Sequence, residues 1–254
     1  VGPESDVPES GVPESAGAGS AGSKPAGVGS AAPDLGAPTT FVLLRHGETA
    51  LTGQQRFSGS GGSDPDLSER GRAQAELAAG ELAGPHACEA DGVRAVHTVV
   101  SSPLARCRQT AAPVAARLGL DITVEEGLRE TDFGAWDGLT FAEARQRDPD
   151  AMAAWLGDPS HAPPGGESFE HVAARVEAAR DALLAAHRGR TLLLVSHVTP
   201  IKTLVRLALG APSEALYRMY LAPAALCAIA YYADGNTSVR YVNATAHLRG
   251  LGPA

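Results

Sequence analysis

The stretch Thr40-Phe41-Val42-Leu43-Leu44-Arg45-His46-Gly47-Glu48-Thr49 decides the fold. Its first five residues make a continuous apolar run, the pattern of a strand buried on both faces of a parallel sheet. Such a strand delivers Arg45 and His46 to its carboxyl end, the edge at which open α/β sheets bind ligands. A second run of the same kind, Thr191-Leu192-Leu193-Leu194-Val195, presents Ser196 and His197 in the same way.

Outward from these two strands, short apolar runs alternate with longer amphipathic stretches, which predicts an α/β sandwich. Ser68 is the expected N-cap of a helix over 69–83. A strand follows near 95–100. Ser102 as cap and Pro103 in the first turn then start a helix that ends at Gly119. Residues 121–124 read as a short strand, leading into a glycine-punctuated loop over 127–138. Covering helices are expected near 140–156 and over 169–187, and another over 200–209. The pattern closes with strands over 225–232 and 238–242, a hairpin at the sheet edge joined by Asp234-Gly235-Asn236.

Residues 1–40 read differently. They carry the near-repeat Gly2-Pro3-Glu4-Ser5, Val7-Pro8-Glu9-Ser10, Val12-Pro13-Glu14-Ser15, then Gly, Ala, Ser and Pro, with no aromatic residue before Phe41. Such a segment buries too little apolar surface to offset its chain entropy, and is read as a disordered linker. One domain over 41–248 follows, with a tail over 249–254. The absence of an initiating methionine before Val1, together with the linker composition, is read as a sign of something upstream.

The linker holds five acids (Glu4, Asp6, Glu9, Glu14, Asp34) against Lys24, half of the net charge of −8. An acidic domain argues against general binding to nucleic acid or to a membrane surface. Arginine supplies nearly all of the positive charge, since Lys24 and Lys202 are the only lysines, so pocket chemistry is sought among arginines. Cys88, Cys107 and Cys227 form neither a disulfide framework nor a zinc pattern. With no signal-peptide core and no apolar run of spanning length, the sequence predicts a soluble, cytoplasmic protein.

Arg45 beside His46 is chemically pointed, because a guanidinium disfavours imidazolium and keeps the ring neutral and nucleophilic. Alone, Arg-His-Gly is more often a strand-capping histidine beside a surface arginine. Ser102-Pro103-Leu104-Ala105-Arg106 places Arg106 in the first turn of a helix, where a forked guanidinium grips phosphoryl oxygens. Arg108, facing elsewhere, is assigned to the surface. His197 could donate to the same oxygens. Two histidines also raise a metal site, but neither has a third ligand at ligand spacing, and no metal is assigned. Glu130 and Asp132 both lie where a carboxyl could protonate a leaving oxygen, and position alone does not choose between them. Phe133 and Trp136 are assigned to the core, and His86, His97, His161, His171, His187 and His247 to surface or core.

In order, Arg45-His46-Gly47-Glu48-Thr49, Ser102-Pro103-Leu104-x-Arg106, Leu128-x-Glu130-x-x-Phe133-Gly134-x-Trp136-x-Gly138 and Ser196-His197 resemble the histidine phosphatase superfamily, which includes phosphoglycerate mutases and the alpha-ribazole phosphatase type. The likeness covers about residues 41–245. It implies a phosphoglycerate mutase-like, three-layer α/β/α sandwich with a mostly parallel six-stranded sheet.

Carried over by position, the resemblance makes His46 the phosphorylated nucleophile, Glu130 rather than Asp132 the proton donor, and Arg45, Arg106 and His197 the phosphate pocket. Thr49 adds a hydroxyl, and Thr52 and Arg56 border the substrate in the loop over 52–66. Two positions depart from the family pattern: Thr52 stands where Asn is frequent, and Val198 where Gly is frequent. A closer likeness, through Ser196-His197-Val198-Thr199-Pro200-Ile201-Lys202 and Phe57-Ser58-Gly59, is to the acid phosphatase half of actinobacterial proteins that carry a ribonuclease H domain upstream.

The resemblance implies hydrolysis of a small phosphomonoester through phosphohistidine, with no metal or cofactor. Phosphoglycerate-type mutases usually carry a long insertion after the acid loop, for which the stretch from Gly138 to Gly166 leaves no room. A non-catalytic phospho-ligand or protein-binding module is the rival from another class, and retention of all five reactive residues argues against it. A ribazole phosphate, a sugar phosphate and a nucleotide present the same monoester, so the sequence names no substrate.

Overall fold

A computed structural model of the chain describes residues 36–84 and 95–252. The linker reading therefore lies almost wholly outside the described residues, as do Cys88 and His86. Six strands form one sheet in the order β3-β2-β4-β1-β5-β6. They are β1 (Thr39–Arg45), β2 (Thr98–Ser101), β3 (Ile122–Val124), β4 (Thr191–Ser196), β5 (Leu226–Tyr231) and β6 (Thr237–Ala244). The first four are mutually parallel, β5 runs antiparallel to β1, and β5 and β6 form the expected edge hairpin.

The continuous apolar runs follow from burial on both faces. Phe41 and Leu43 of β1, with Leu192 and Leu194 of β4, pack against α6 (Phe169–Ala186) and α7 (Val198–Ala208) through Val172, Val176, Ile201 and Leu204. The alternate residues Val42, Leu44, Leu193 and Val195 face α2 (Glu69–Ala83) and α3 (Ala105–Leu118) through Ala78, Ala79, Cys107 and Val114. Side chains of a strand alternate between faces, so two helical layers demand an apolar residue at every position. The result is the three-layer α/β/α sandwich. A smaller cluster of Phe133, Trp136, Met152, Trp155 and Phe169 joins the acid loop to α4 (Phe141–Arg147) and α5 (Pro149–Gly157).

Ser68 caps α2 by accepting from Gly71 N, and Gly119 ends α3 at φ 66°, both as predicted. The start of α3 differs. It begins at Ala105 without a cap from Ser102, and the carboxylate of Asp64 accepts from Ala105 N at 3.0 and 2.9 Å instead. A long-range carboxylate satisfies the same free N–H groups as a local hydroxyl, and local sequence does not reveal it. Helix α7 starts at Val198, two residues before the predicted position. Nor does order end at 248: Ala246–Leu251 forms a helical turn, and Arg70 donates to the carbonyls of Leu251 and Gly252. Among the described residues no helix is long and apolar enough to cross a membrane.

Candidate active site

Strands β1 and β4 are neighbours, with Arg45 opposite Ser196, so the residues that follow each strand emerge side by side. His46 N donates to Ser196 O at 3.0 Å, and the rings of His46 and His197 lie 5.1 Å apart, tilted by 59°. Beyond His46 the chain passes tightly over α2. A Cβ on Gly47 would lie 2.5 Å from Gly71 O, and a Cβ on Gly71 would collide with Glu48 O, so both positions exclude a side chain. Gly47 N donates to Thr110 Oγ1 and Glu48 N to Gln74 Oε1, which fixes the turn.

The proton on His46 is set by its neighbour. Nδ1 lies 2.7 Å from Gly47 O, a carbonyl that only accepts, so Nδ1 carries the hydrogen and Nε2 keeps its lone pair. Burial, then the charges of Arg45 and Arg106, hold this imidazole well below the ordinary histidine range, so it is neutral. The same causes, burial first, hold His197 low. His197 Nε2 is 2.8 Å from Ser102 Oγ and 3.3 Å from Cys107 Sγ. The hydroxyl expected to cap α3 therefore orients a histidine.

Arg45 and Arg106 flank the pair. Arg45 Nη1 donates to Leu221 O at 2.6 Å, and burial lowers its pKa to about 10, with Glu130 opposing. Arg106, fully buried, donates to Ser58 O and Gly59 O and reaches Asp64 at 3.4 Å. In both guanidinium groups Nε is buried without a hydrogen-bond partner. Arg70, Arg129 and Arg206 share an unpaired Nε, so what marks these two is their charge acting on His46, where forked donors suit an oxygen-rich anion.

Glu130, nearly buried, accepts from Thr131 N at 2.9 Å and from Thr199 N, in the first turn of α7, at 3.2 Å. Its loop is held from behind by Arg175, which donates to the carbonyls of Gly127, Arg129 and Glu130 and grips Glu167 with two nitrogens. Asp132, the other candidate, instead accepts from Gly134 N within its own turn and does not line the cavity that Glu130 lines.

That cavity, about 420 Å³, has Arg45, His46 and Glu130 on its wall, with Thr52 and Arg56 as predicted border residues. Arg56 donates to Gly138 O and Glu143, tying the loop over 52–66 to the acid loop. Three predicted residues stand behind the wall: Arg106, His197 and Thr49. Thr49 caps the short helix α1 (Ala50–Gly53), its Oγ1 accepting from Thr52 N and lying 3.0 Å from Thr52 Oγ1. The hydroxyl is thus used within the turn.

Lys202, Thr199, Trp155, Phe169 and Tyr217, which the motifs do not single out as site residues, also line the cavity. The signal for two of them was available, since Thr199 and Lys202 sit at i, i+3 just after His197. The other three arrive from distant elements. Trp136 is core, as predicted, whereas Phe133 both packs in its cluster and reaches the wall. Arg108 is exposed, as predicted. Among the described residues no group of His, Cys, Asp and Glu side chains is arranged to hold a metal ion.

Residues 41–244 match the family described as the histidine phosphatase superfamily (branch 1). A protein of Mycobacterium tuberculosis named as bifunctional is 52% identical over 213 residues, which is 84% of this chain and 56% of that protein. The chain thus spans little more than half the length of that relative. Phosphoserine phosphatase 1 of Hydrogenobacter thermophilus is 32% identical over 170 residues, 66% of this chain and 75% of that enzyme. The solved structure of a mycobacterial glucosyl-3-phosphoglycerate phosphatase superposes with a TM-score of 0.70 at 32% identity, over 82% of this chain and 99% of the other.

Proposed function

The chain belongs to the histidine phosphatase superfamily, and we propose that it hydrolyses phosphomonoesters by carrying the phosphoryl group on His46. In the first step Nε2 of His46 attacks phosphorus, the P–O bond to the alcohol breaks, and Glu130 gives its proton to the leaving oxygen. Water then attacks phosphohistidine while Glu130 takes back a proton, releasing phosphate and the neutral imidazole. Arg45, Arg106 and His197 offset charge on the equatorial oxygens, where phosphoryl-transfer catalysis mainly acts.

The observation that carries this reading is a neutral His46 whose Nδ1 is engaged by Gly47 O, under the charges of half-buried Arg45 and fully buried Arg106, each with a buried, unpaired Nε donor. Hydrolysis is favoured over mutase chemistry because the stretch from Gly138 to Gly166 is taken up by two short helices that return Trp155 to the cavity wall. Release of inorganic phosphate, rather than a phosphoryl isomer, tests that choice. His46→Ala is expected to abolish hydrolysis of p-nitrophenyl phosphate while keeping its thermal unfolding transition. Wild-type enzyme quenched in alkaline detergent should carry alkali-stable, acid-labile phosphate on His46. Full activity in His46→Ala, or label at another residue, would overturn the proposal, and absence of any label would favour a binding module.

The alcohol part of the substrate is proposed to be sizeable and to present an apolar face. Three of the chain's five phenylalanines, Phe57, Phe133 and Phe169, line the cavity with Trp155 and Tyr217. They form a connected wall, with Phe57 4.7 Å from Phe133 and Trp155 5.0 Å from Phe169. A reducing, cytoplasmic setting is proposed from Cys107 and Cys227, which among the described residues are free, buried thiols. Neither nucleic acid nor membrane is proposed as a partner of the domain over 41–248, on the ground of its acidic charge. An upstream ribonuclease H domain joined through residues 1–40 is also proposed, supported by the partial coverage of the bifunctional relative. The mass of the native gene product tests it.

A further inference from the structure

Three cationic side chains line the cavity with His46 and Glu130: Arg45, Arg56 and Lys202. Arg45 stands beside His46, and Arg56 is neutralised by Glu143 at 2.8 Å. Lys202 is neither adjacent to His46 nor neutralised by a carboxylate. Among the described residues no carboxylate lies within ion-pair distance of it, and its one hydrogen bond runs from Nζ to Leu216 O at 3.0 Å. An ammonium has three protons to donate, so two have no protein acceptor there. The group is partly buried, and burial holds it below the ordinary lysine range, with Glu130 opposing and Arg45 adding to the effect. A cation partly withdrawn from water with no carboxylate paired to it is disfavoured, and an anionic ligand in contact with it offsets that cost.

Its place relative to the chemistry is fixed by α7. Thr199 N holds the Glu130 carboxylate, and Lys202 follows at i+3, one turn further on the same face. If Glu130 addresses the leaving oxygen, the alcohol part of the substrate lies beyond it, within reach of that turn.

We infer that Lys202 is a specificity-determining residue that pairs with a second anionic group on the alcohol part of the substrate, so that phosphomonoesters of acidic alcohols are preferred. The inference rests on the phosphatase reading above. It does not conflict with the aromatic wall, which takes the apolar part of the same alcohol.

The test uses the full chain and matched pairs of substrates. 3-Phosphoglycerate is compared with glycerol 3-phosphate, and phosphoserine with phosphoethanolamine. Fructose bisphosphate against fructose 6-phosphate separates a second phosphate from a carboxylate, and p-nitrophenyl phosphate reports on the chemistry alone. Wild type is expected to prefer the acidic member of at least one pair by about tenfold in kcat/KM, through KM, as one charge-assisted contact implies. Lys202→Met and Lys202→Gln should erase the preference and leave p-nitrophenyl phosphate hydrolysis within about twofold. Lys202→Arg should keep most of it. No preference in wild type overturns the inference while leaving the phosphatase reading intact. So does an equal loss on every substrate in both neutral variants, which would make Lys202 structural. Failure of wild type to hydrolyse any of these compounds would remove both.

Discussion

Arg175→Met tests whether the Glu130 loop is held by one guanidinium. The wild-type side chain is mostly buried, 16% exposed, and Glu167 opposite it is 18% exposed. The substitution removes three bonds to backbone carbonyls, of 2.8, 2.7 and 3.0 Å, and leaves Glu167 without its cation. A hydrogen bond from a charged donor contributes about 1 kcal/mol or somewhat more, and loss of one partner of a largely buried pair costs about 3–5 kcal/mol in all. That is a large part of the stability of an ordinary domain, yet leaves it folded at 25 °C.

Glu167→Gln keeps the three carbonyl bonds and is expected to cost about 1–2 kcal/mol. Urea unfolding at pH 7 measures both. The pH dependence gives a second reading. Burial raises the Glu167 carboxyl, but hydrogen bonding and charge from Arg175 outweigh it and leave the group below the ordinary glutamate value. A depressed folded-state value contributes stability above the unfolded value, lost as pH falls through the folded one. Wild type should therefore lose stability in that acid window, and Arg175→Met should lose less there. Because the same carbonyls carry Glu130, kcat should fall about tenfold or more on esters with poor leaving groups. Destabilisation below about 1 kcal/mol, or an equal cost for Glu167→Gln, would refute the view of Arg175 as the loop's anchor.

Further predictions concern the nucleophile and its turn. A nucleophilic His46 must be neutral, and its neutral form persists well below the ordinary histidine range, so kcat/KM should hold into acid solution. Arg45→Met removes the second cause of that depression, and the acid limb of the profile should move to higher pH; an unmoved limb would assign it to another group. Gly71→Ala drives a methyl into Glu48 O, and about 3 kcal/mol of destabilisation is expected by thermal unfolding, with activity falling as the His46 turn shifts. A neutral outcome would show that the close passage over α2 yields easily.

The sequence by itself determined the sheet and the positions of its reactive ends. Continuous apolar runs at 40–44 and 191–195 are required when a strand is covered on both faces, and the residues after them must emerge at one edge. Helix ends with local causes, such as Ser68 and Gly119, were legible for the same reason. Tertiary structure alone decided which groups meet. Asp64 rather than Ser102 satisfies the start of α3, Ser102 turns to His197, and Arg175 holds a loop more than forty residues away. The cavity wall was likewise hidden, because Phe57, Trp155, Phe169 and Tyr217 come from four separate segments with no shared period. Periodicity records which face of an element is buried. It carries no information about which distant side chains meet, and in this fold those meetings bring the charge of Arg106 to bear on His46 and, among the described residues, leave Lys202 without a carboxylate at ion-pair distance.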